Sequence, residues 1–160
     1  QDLVDCSGSY GNQACNGGMM DNAFQYIMDH GLCTEQAYPY KGVKETCKPC
    51  NRTKYITGCA DIKPNDEQEL MRIVSHQPVA IAIEADKLSF QFYRSGVYDS
   101  KNCGTNLDHG VLLVGYGEEN EVPYWKVKNS WGTSWGDEGY IKILRGTGLC
   151  GVTMQPSIPI

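Results

Sequence analysis

The sequence predicts an α+β protein, helices first and strands after, and three observations carry that expectation. Met19, Met20, Ala23, Phe24, Ile27 and Met28 recur at helical spacing. A second amphipathic stretch follows Pro64, with Leu70, Ile73 and Val74 on its apolar side. From Val79 onward the pattern turns to short apolar or alternating runs, at 79–83, 90–93, 110–116, 124–128 and 139–144, punctuated by glycines. Strands following helices, with glycine turns between them, predict an antiparallel β-barrel.

Taken in order, residues 1–18 are rich in Gly, Ser and Asn and read as a loop. The first helix is expected over about 19–30, with Gly31 as its stop. Residues 31–61 show little periodicity and hold four cysteines. This is the pattern of an irregular segment stapled by disulfides in place of a large core. Asn65 is the expected N-cap of a second helix reaching about His76, with acidic residues in its first turn and Pro78 beyond its end. The strands then follow, with a turn at Ser95-Gly96 after the 90–93 run. There is no internal repeat and no low-complexity linker.

A chain of 160 residues suits one domain or two small lobes. Its formal charge of −5 argues against nucleic acid as a partner, which calls for a basic face. No apolar run approaches the roughly 18 residues of a membrane span, and no leader sequence opens at Gln1, so any targeting segment is expected upstream. Eight cysteines point to an oxidising compartment. Cys47-Lys48-Pro49-Cys50 is a C-x-x-C, but no second pair completes a zinc site and no βαβ context supports a redox motif. No metal and no cofactor are therefore expected. Asn51-Arg52-Thr53 is a glycosylation sequon and fits a secretory route.

The chemistry concentrates between Leu107 and Trp135. His109 stands at the mouth of an apolar run, and Asn129 ends a β-rich run that leads into Ser130-Trp131-Gly132-Thr133-Ser134-Trp135-Gly136. A hairpin of these strands brings His109 near Asn129. An amide oxygen can accept an imidazole N–H and fix the ring's orientation and tautomer. That arrangement is useful when the other ring nitrogen faces a nucleophile. The other two histidines, His30 and His76, sit at helix C-termini, where a cation complements the macrodipole.

These residues resemble the papain family of cysteine peptidases, in particular its cathepsin L branch. The resemblance runs through Cys15-Asn16-Gly17-Gly18-Met19-Met20, Tyr38-Pro39-Tyr40, Gln77-Pro78-Val79, Asp108-His109-Gly110 and Asn129-Ser130-Trp131-Gly132, in the family's order. It implies a papain-like two-lobe fold: residues 1–61 as the remainder of the helical, disulfide-stapled lobe, 62–156 as the β-barrel lobe, and 157–160 as a C-terminal strap. It also implies disulfides between Cys6 and Cys47 and between Cys103 and Cys150. Cys33 with Cys50 is expected as a further bridge, and Cys59 is left over as a buried thiol. The family's Cys-Gly-Ser-Cys-Trp nucleophile segment, its helix and the oxyanion-hole glutamine are not found here, so an upstream chain is expected to supply them. Cys15 matches a structural cystine whose partner lies in that upstream segment.

The resemblance further makes His109 the acid/base and Asn129 its orienter, with Trp131 covering their contact and Trp135 forming a wall on the leaving-group side. Gly17 and Gly18 offer bare backbone to an extended peptide. Asp108 joins the substrate-binding set. Met19, Met20, Ala82, Leu107, Gly110 and Gln155 line the pocket for the second residue before the cut. Small Ala82 and Gly110 leave room there for an apolar guest. The expected function is thus the downstream chain of a papain-like cysteine endopeptidase, inactive alone and lysosomal, vacuolar or secreted. Its expected partners are the upstream chain, a peptide or protein substrate, and a propeptide or protein inhibitor. The competing expectation is a catalytically inactive homologue with a binding or structural role.

Overall fold

The structure is a computed structural model describing residues 1–160. It divides into two compact units, one of Gln1–Ala60 with Pro159–Ile160, the other of Asp61–Ile158.

In the first unit the expected opening loop is instead a helix, α1 (Asp2–Cys6), followed by 3-10 turns at Ser7–Tyr10 and Ala14–Asn16. Hydrophobic periodicity could not reveal α1, because its buried residues are two carboxylates, Asp2 and Asp5. Asp2 accepts hydrogen bonds from Tyr26 Oη (2.8 Å), the Cys33 N–H (3.1 Å) and Arg52 (3.1 Å). Asp5 accepts from Tyr38 Oη (2.9 Å), the Glu45 N–H (2.7 Å) and the Gln1 amide (2.8 Å). Burial alone would raise both carboxyls, but the converging donors outweigh it and hold both below the usual carboxylate range. Burial and the hydrogen bond to Asp2 push the Tyr26 hydroxyl up to about 12.

Helix α2 (Met20–His30) forms where the apolar spacing places it, and Gly31 closes it at φ 75°. A side chain at Gly31 would also meet the exposed Tyr55 ring at 2.5 Å and push it aside, but it is the positive φ that calls for glycine. Only Tyr26 of α2 is fully buried; Ala23, Phe24, Ile27 and Met28 are half-buried. Disulfides Cys6–Cys47 and Cys33–Cys50 staple this unit. The two cysteines of the C-x-x-C thus belong to different bridges, which removes them as zinc ligands. Cys15 and Cys59 are free thiols, and both are exposed. The expectation of a buried Cys59 fails because Cys59 opens strand β1 (Cys59–Asp61), whose Cys59 and Asp61 face solvent.

The second unit carries the sheet. Helix α3 (Glu67–Val74) buries Leu70 and Val74. Its N-cap is Asp66, whose carboxylate accepts the Glu69 N–H at 3.1 Å, rather than the expected Asn65. Asn65 has φ 60°, and its side chain accepts from the Thr153 hydroxyl instead. The helix stops short of His76 because the Ser75 hydroxyl (2.7 Å) and His76 Nδ1 (2.8 Å) both turn back onto the Arg72 carbonyl.

Strands β2 (Val79–Ile83), β3 (Val97–Tyr98), β4 (His109–Glu119), β5 (Val122–Lys128), β6 (Tyr140–Leu144) and β7 (Ser157–Pro159) join β1 in the order β1-β7-β2-β4-β5-β6-β3. The β7/β2, β2/β4, β4/β5 and β5/β6 pairs are antiparallel, while β3 runs parallel to β6. The 90–93 run, read as extended, is the end of a short helix α4 (Leu88–Gln91) and the turn after it. Alternation would pair Phe90 with Phe92 on one face. The structure buries Phe90 and Tyr93, three residues apart, and leaves Phe92 exposed. Val79, Ile81, Ile83, Leu113, Trp125, Val127, Ile141 and Ile143 form the core with Phe90, each at most 1% exposed. The Cys103–Cys150 disulfide lies beside this core. No helix is long and apolar enough to cross a membrane.

Candidate active site

His109 is the first residue of β4 and pairs with Ile83 of β2. Asn129 follows the last residue of β5. The β4/β5 ladder matches Leu112 with Lys128 and Leu113 with Val127, and a bulge at Val114 shifts the register before Gly115 meets Lys126. Continued past Leu112, the same register sets Asn129 opposite Val111. His109 is then a diagonal neighbour on the same face, within reach of a long side chain. His109 Nε2 lies 2.8 Å from Asn129 Oδ1.

The tautomer follows from a third group. The Ser130 backbone N–H points at the same Asn129 atom, at 2.8 Å. A backbone N–H can only donate, so that atom is the amide oxygen, and His109 Nε2 must carry a proton to share it. The neutral ring therefore keeps Nδ1 as its free acceptor. Nδ1 makes no hydrogen bond within the chain. Asn129 is buried, and its Nδ2 has no partner.

Trp131 stacks on the imidazole, with ring centroids 5.2 Å apart and planes 23° from parallel. It meets Trp135 edge-on at 5.2 Å and Phe90 edge-on at 5.8 Å. Trp135 lies against Phe90 and donates its indole N–H to the Gln91 carbonyl at 2.9 Å. Helix α4 thus props the two tryptophans from beneath, a support the extended reading of 90–93 had hidden.

On the other side of His109, the Asp108 carboxylate accepts the Ala85 N–H at 2.8 Å, and the Asp108 N–H donates to the Ile83 carbonyl at 3.0 Å. Ala82 pairs with Gly110 across the β2/β4 ladder. Leu107 is half-buried. A Cβ at Gly151 would fall 2.5 Å from Leu107 and 3.2 Å from the Met154 sulfur, so Met154 joins Leu107 as a neighbour that no motif had singled out. Gln155 is exposed and makes no hydrogen bond.

In the first unit Cys15, Gly17, Gly18 and Met19 are exposed and Met20 is half-buried. Gly17 has φ 105°. Asn12 organises this loop: its carbonyl oxygen accepts the Met19 N–H at 3.0 Å, and its amide donates to the Ser7 hydroxyl at 2.9 Å. A side chain at Gly18 would collide with Asn12 Oδ1 at 2.3 Å. A lone asparagine in a polar stretch carries no signal, so the role of Asn12 is visible only in the structure. Asn51 is exposed.

An imidazole held by a buried amide beneath an indole, with its second nitrogen free, is an arrangement that suits a histidine working beside a nucleophile. The comparisons then identify the family. The whole chain, residues 1–160, matches the family described as papain family cysteine protease, and the chain belongs to that family. It is 50% identical to cysteine proteinase COT44 of Brassica napus over 168 residues, covering 100% of this chain and 51% of that protein. It is 52% identical to a cathepsin L-like peptidase of Aedes aegypti, covering 100% of this chain and 49% of that one. Among solved structures it resembles the proform of the ragweed pollen allergen cysteine protease Amb a 11, with TM-score 0.95 and 44% identity over 99% of this chain and 51% of that one. Digestive procathepsin L 3 of Tenebrio molitor larval midgut also gives TM-score 0.95, at 42% identity over 99% of this chain and 53% of that chain. The chain spans about half the length of these relatives.

Proposed function

We propose that this chain is the downstream part of a papain-like cysteine endopeptidase, whose nucleophilic cysteine comes from an upstream segment or chain. The His109 Nε2–Asn129 Oδ1 contact of 2.8 Å, with its tautomer set by Ser130, carries the proposal. In the resting pair His109 Nδ1 takes the thiol proton. The thiolate attacks the peptide carbonyl, the imidazolium protonates the leaving amine, and water then hydrolyses the thioester. Asn129 holds the ring through both steps, and Trp131 keeps water from their bond. Trp135 walls the leaving-group side.

Ala82, Gly110 and Leu107 favour an apolar side chain two residues before the cut, with Gln155 at the pocket's far end and Asp108 beside it. In the first unit, the exposed run of Gly17 and Gly18, with Met19 and Met20, offers backbone to an extended peptide. Two features support an upstream partner: the half-buried apolar flank of α2, and a groove of about 620 Å³ beside Cys15 whose lining mixes apolar Val4, Ala14 and Val43 with polar Asn12, Gln13 and Lys44. Cys15 bridges to that partner, and the chain alone is inactive. A propeptide or protein inhibitor is a further partner, and an Asn51 glycan accords with a lysosomal, vacuolar or secreted location.

The test is peptide hydrolysis by the full-length protein that contains this chain, with and without His109→Ala. Loss of roughly 100-fold or more is expected, the scale of general acid–base catalysis. Retained turnover would refute the mechanism. A wild-type protein that cleaves nothing yet binds peptide would favour the inactive-homologue reading.

A further inference from the structure

Glu84 is the most deeply buried acid in the chain, 1% exposed, and no part of the proposed chemistry uses it. Lys87 reaches back to Glu84 Oε1 at 3.0 Å, and the same ammonium contacts Asp86 at 3.0 Å. Glu84 Oε2 is buried with no partner. A Cβ at Gly104 would sit 2.7 Å from that oxygen, so the backbone there closes on the carboxylate. The Glu84 N–H donates to the Cys150 carbonyl at 2.9 Å, and Cys150 is tied by disulfide to Cys103, next to Gly104. The carboxylate thus lies between the Gly104 backbone and Lys87, its ion-pair partner, while the Glu84 backbone is tied to Cys150.

The backbone on either side of Glu84 grips the residue before His109. The Ile83 carbonyl accepts the Asp108 N–H, and the Ala85 N–H donates to the Asp108 carboxylate. Ile83 also pairs with His109 in the ladder. We propose that the Glu84–Lys87 ion pair is a positioning element for His109: it fixes the backbone of residues 83–85, and that backbone clamps Asp108 and the start of β4. A core packing role alone would be better served by an apolar residue, since a buried charge is costly unless paired. The charge is useful here because an ion pair resists rotation of the turn in a way that dispersion contacts do not.

The proposal rests on His109 being the acid/base. It is tested in the full-length protein with Glu84→Gln, Lys87→Met and Lys87→Arg, against Ile141→Val as a core variant on β6, outside residues 83–85 and Asp108. Misplacement of a reacting group by a fraction of an ångström costs tenfold or more, so Lys87→Met and Glu84→Gln should each lower kcat by about tenfold. The loss should fall mainly on kcat; Asp108 also borders the proposed pocket, so KM should change by a smaller factor. Lys87→Arg should restore kcat, and the His109 ring N–H resonance should move in the two damaging variants but not in Ile141→Val. If Glu84→Gln does not fold, Lys87→Met, altered at a partly exposed position, carries the test. A Lys87→Met protein with lowered Tm but unchanged kcat and ring resonance would overturn the proposal, as would Ile141→Val reproducing the kcat loss. Should His109→Ala itself retain turnover, the proposed function fails first, so the two failures are distinct.

Discussion

Replacing Asn129 by alanine isolates the orienting role of the amide. The wild-type amide oxygen accepts two hydrogen bonds, from His109 Nε2 and from the Ser130 N–H, each 2.8 Å long. Deleting it in a pocket where Asn129 is only 8% exposed leaves both donors short of an acceptor. A buried donor left unmade costs about 1–3 kcal/mol. The Ser130 share falls on folding, whereas the imidazole share falls on the orientation and tautomer needed for proton transfer. The stacked Trp131 ring still restrains the imidazole, so the lower part of that cost, about 1–2 kcal/mol, falls on catalysis, and the expected loss in kcat/KM is about 5- to 30-fold, since 1.4 kcal/mol is a factor of ten. That is smaller than the loss expected for His109→Ala. Steady-state hydrolysis of a fluorogenic peptide by the full-length protein measures it, and ¹⁵N spectra of the ring report the tautomer. A loss below twofold, or one equal to that of His109→Ala, would refute the reasoning.

Three other outcomes are expected. Asp2 and Asp5 have folded pKa values below the ordinary 3.8, so they contribute stability above that pH and lose it as pH falls from 3.8 through their folded values. Denaturant titrations of the full-length protein should therefore show a steeper acid loss than in Asp2→Asn, by up to about 1.4 kcal/mol per pH unit. Tyr26, raised to about 12, acts at the opposite end: its contribution is complete below pH 10 and is lost as pH rises towards 12, and Tyr26→Phe should flatten that alkaline slope. Gln155→Glu should raise turnover of a substrate with Arg two before the cut relative to Leu, through a charge-assisted contact, and Gln155→Ala should lower it. An unchanged Leu-to-Arg ratio of kcat/KM in both variants would separate Gln155 from the pocket.

What the sequence made legible follows from which forces leave a pattern. Strands β2, β4, β5 and β6 were readable because each buries an apolar face, and their period survives in Val79, Ile81 and Ile83 or in Ile141 and Ile143. The meeting of His109 and Asn129 was readable because both flank a single short hairpin. Helix α1 was not, since it turns carboxylates inward and looks polar to any apolar count. Helix α4 was misread because two aromatic residues in alternation imitate a strand, while Lys87–Phe90 and Lys87–Gln91 backbone bonds decide otherwise. The N-cap moved from Asn65 to Asp66 because two adjacent capping residues compete, and Thr153, 88 residues away, engages the first. Contacts of that range leave no mark in a local window.

The placement of Trp131 shows how the candidate site depends on more than its two polar residues. A tryptophan two residues beyond Asn129 can fold back over His109 only if the chain leaves the β5 direction at once and still returns to pair. The Asn129 N–H donates to the Gly139 carbonyl at 3.0 Å, so the loop must leave and re-enter at the same point. Gly132, Gly136 and Gly139 all have positive φ, at 84°, 61° and 91°. At Gly136 the requirement is also steric, because a Cβ would fall 2.5 Å from the Tyr140 carbonyl oxygen. Backbone cannot yield as a side chain tip can, so a substitution there must displace the loop that carries both tryptophans. The glycines after Asn129 are thus part of what keeps the indole on the imidazole, and through it the imidazole on the amide.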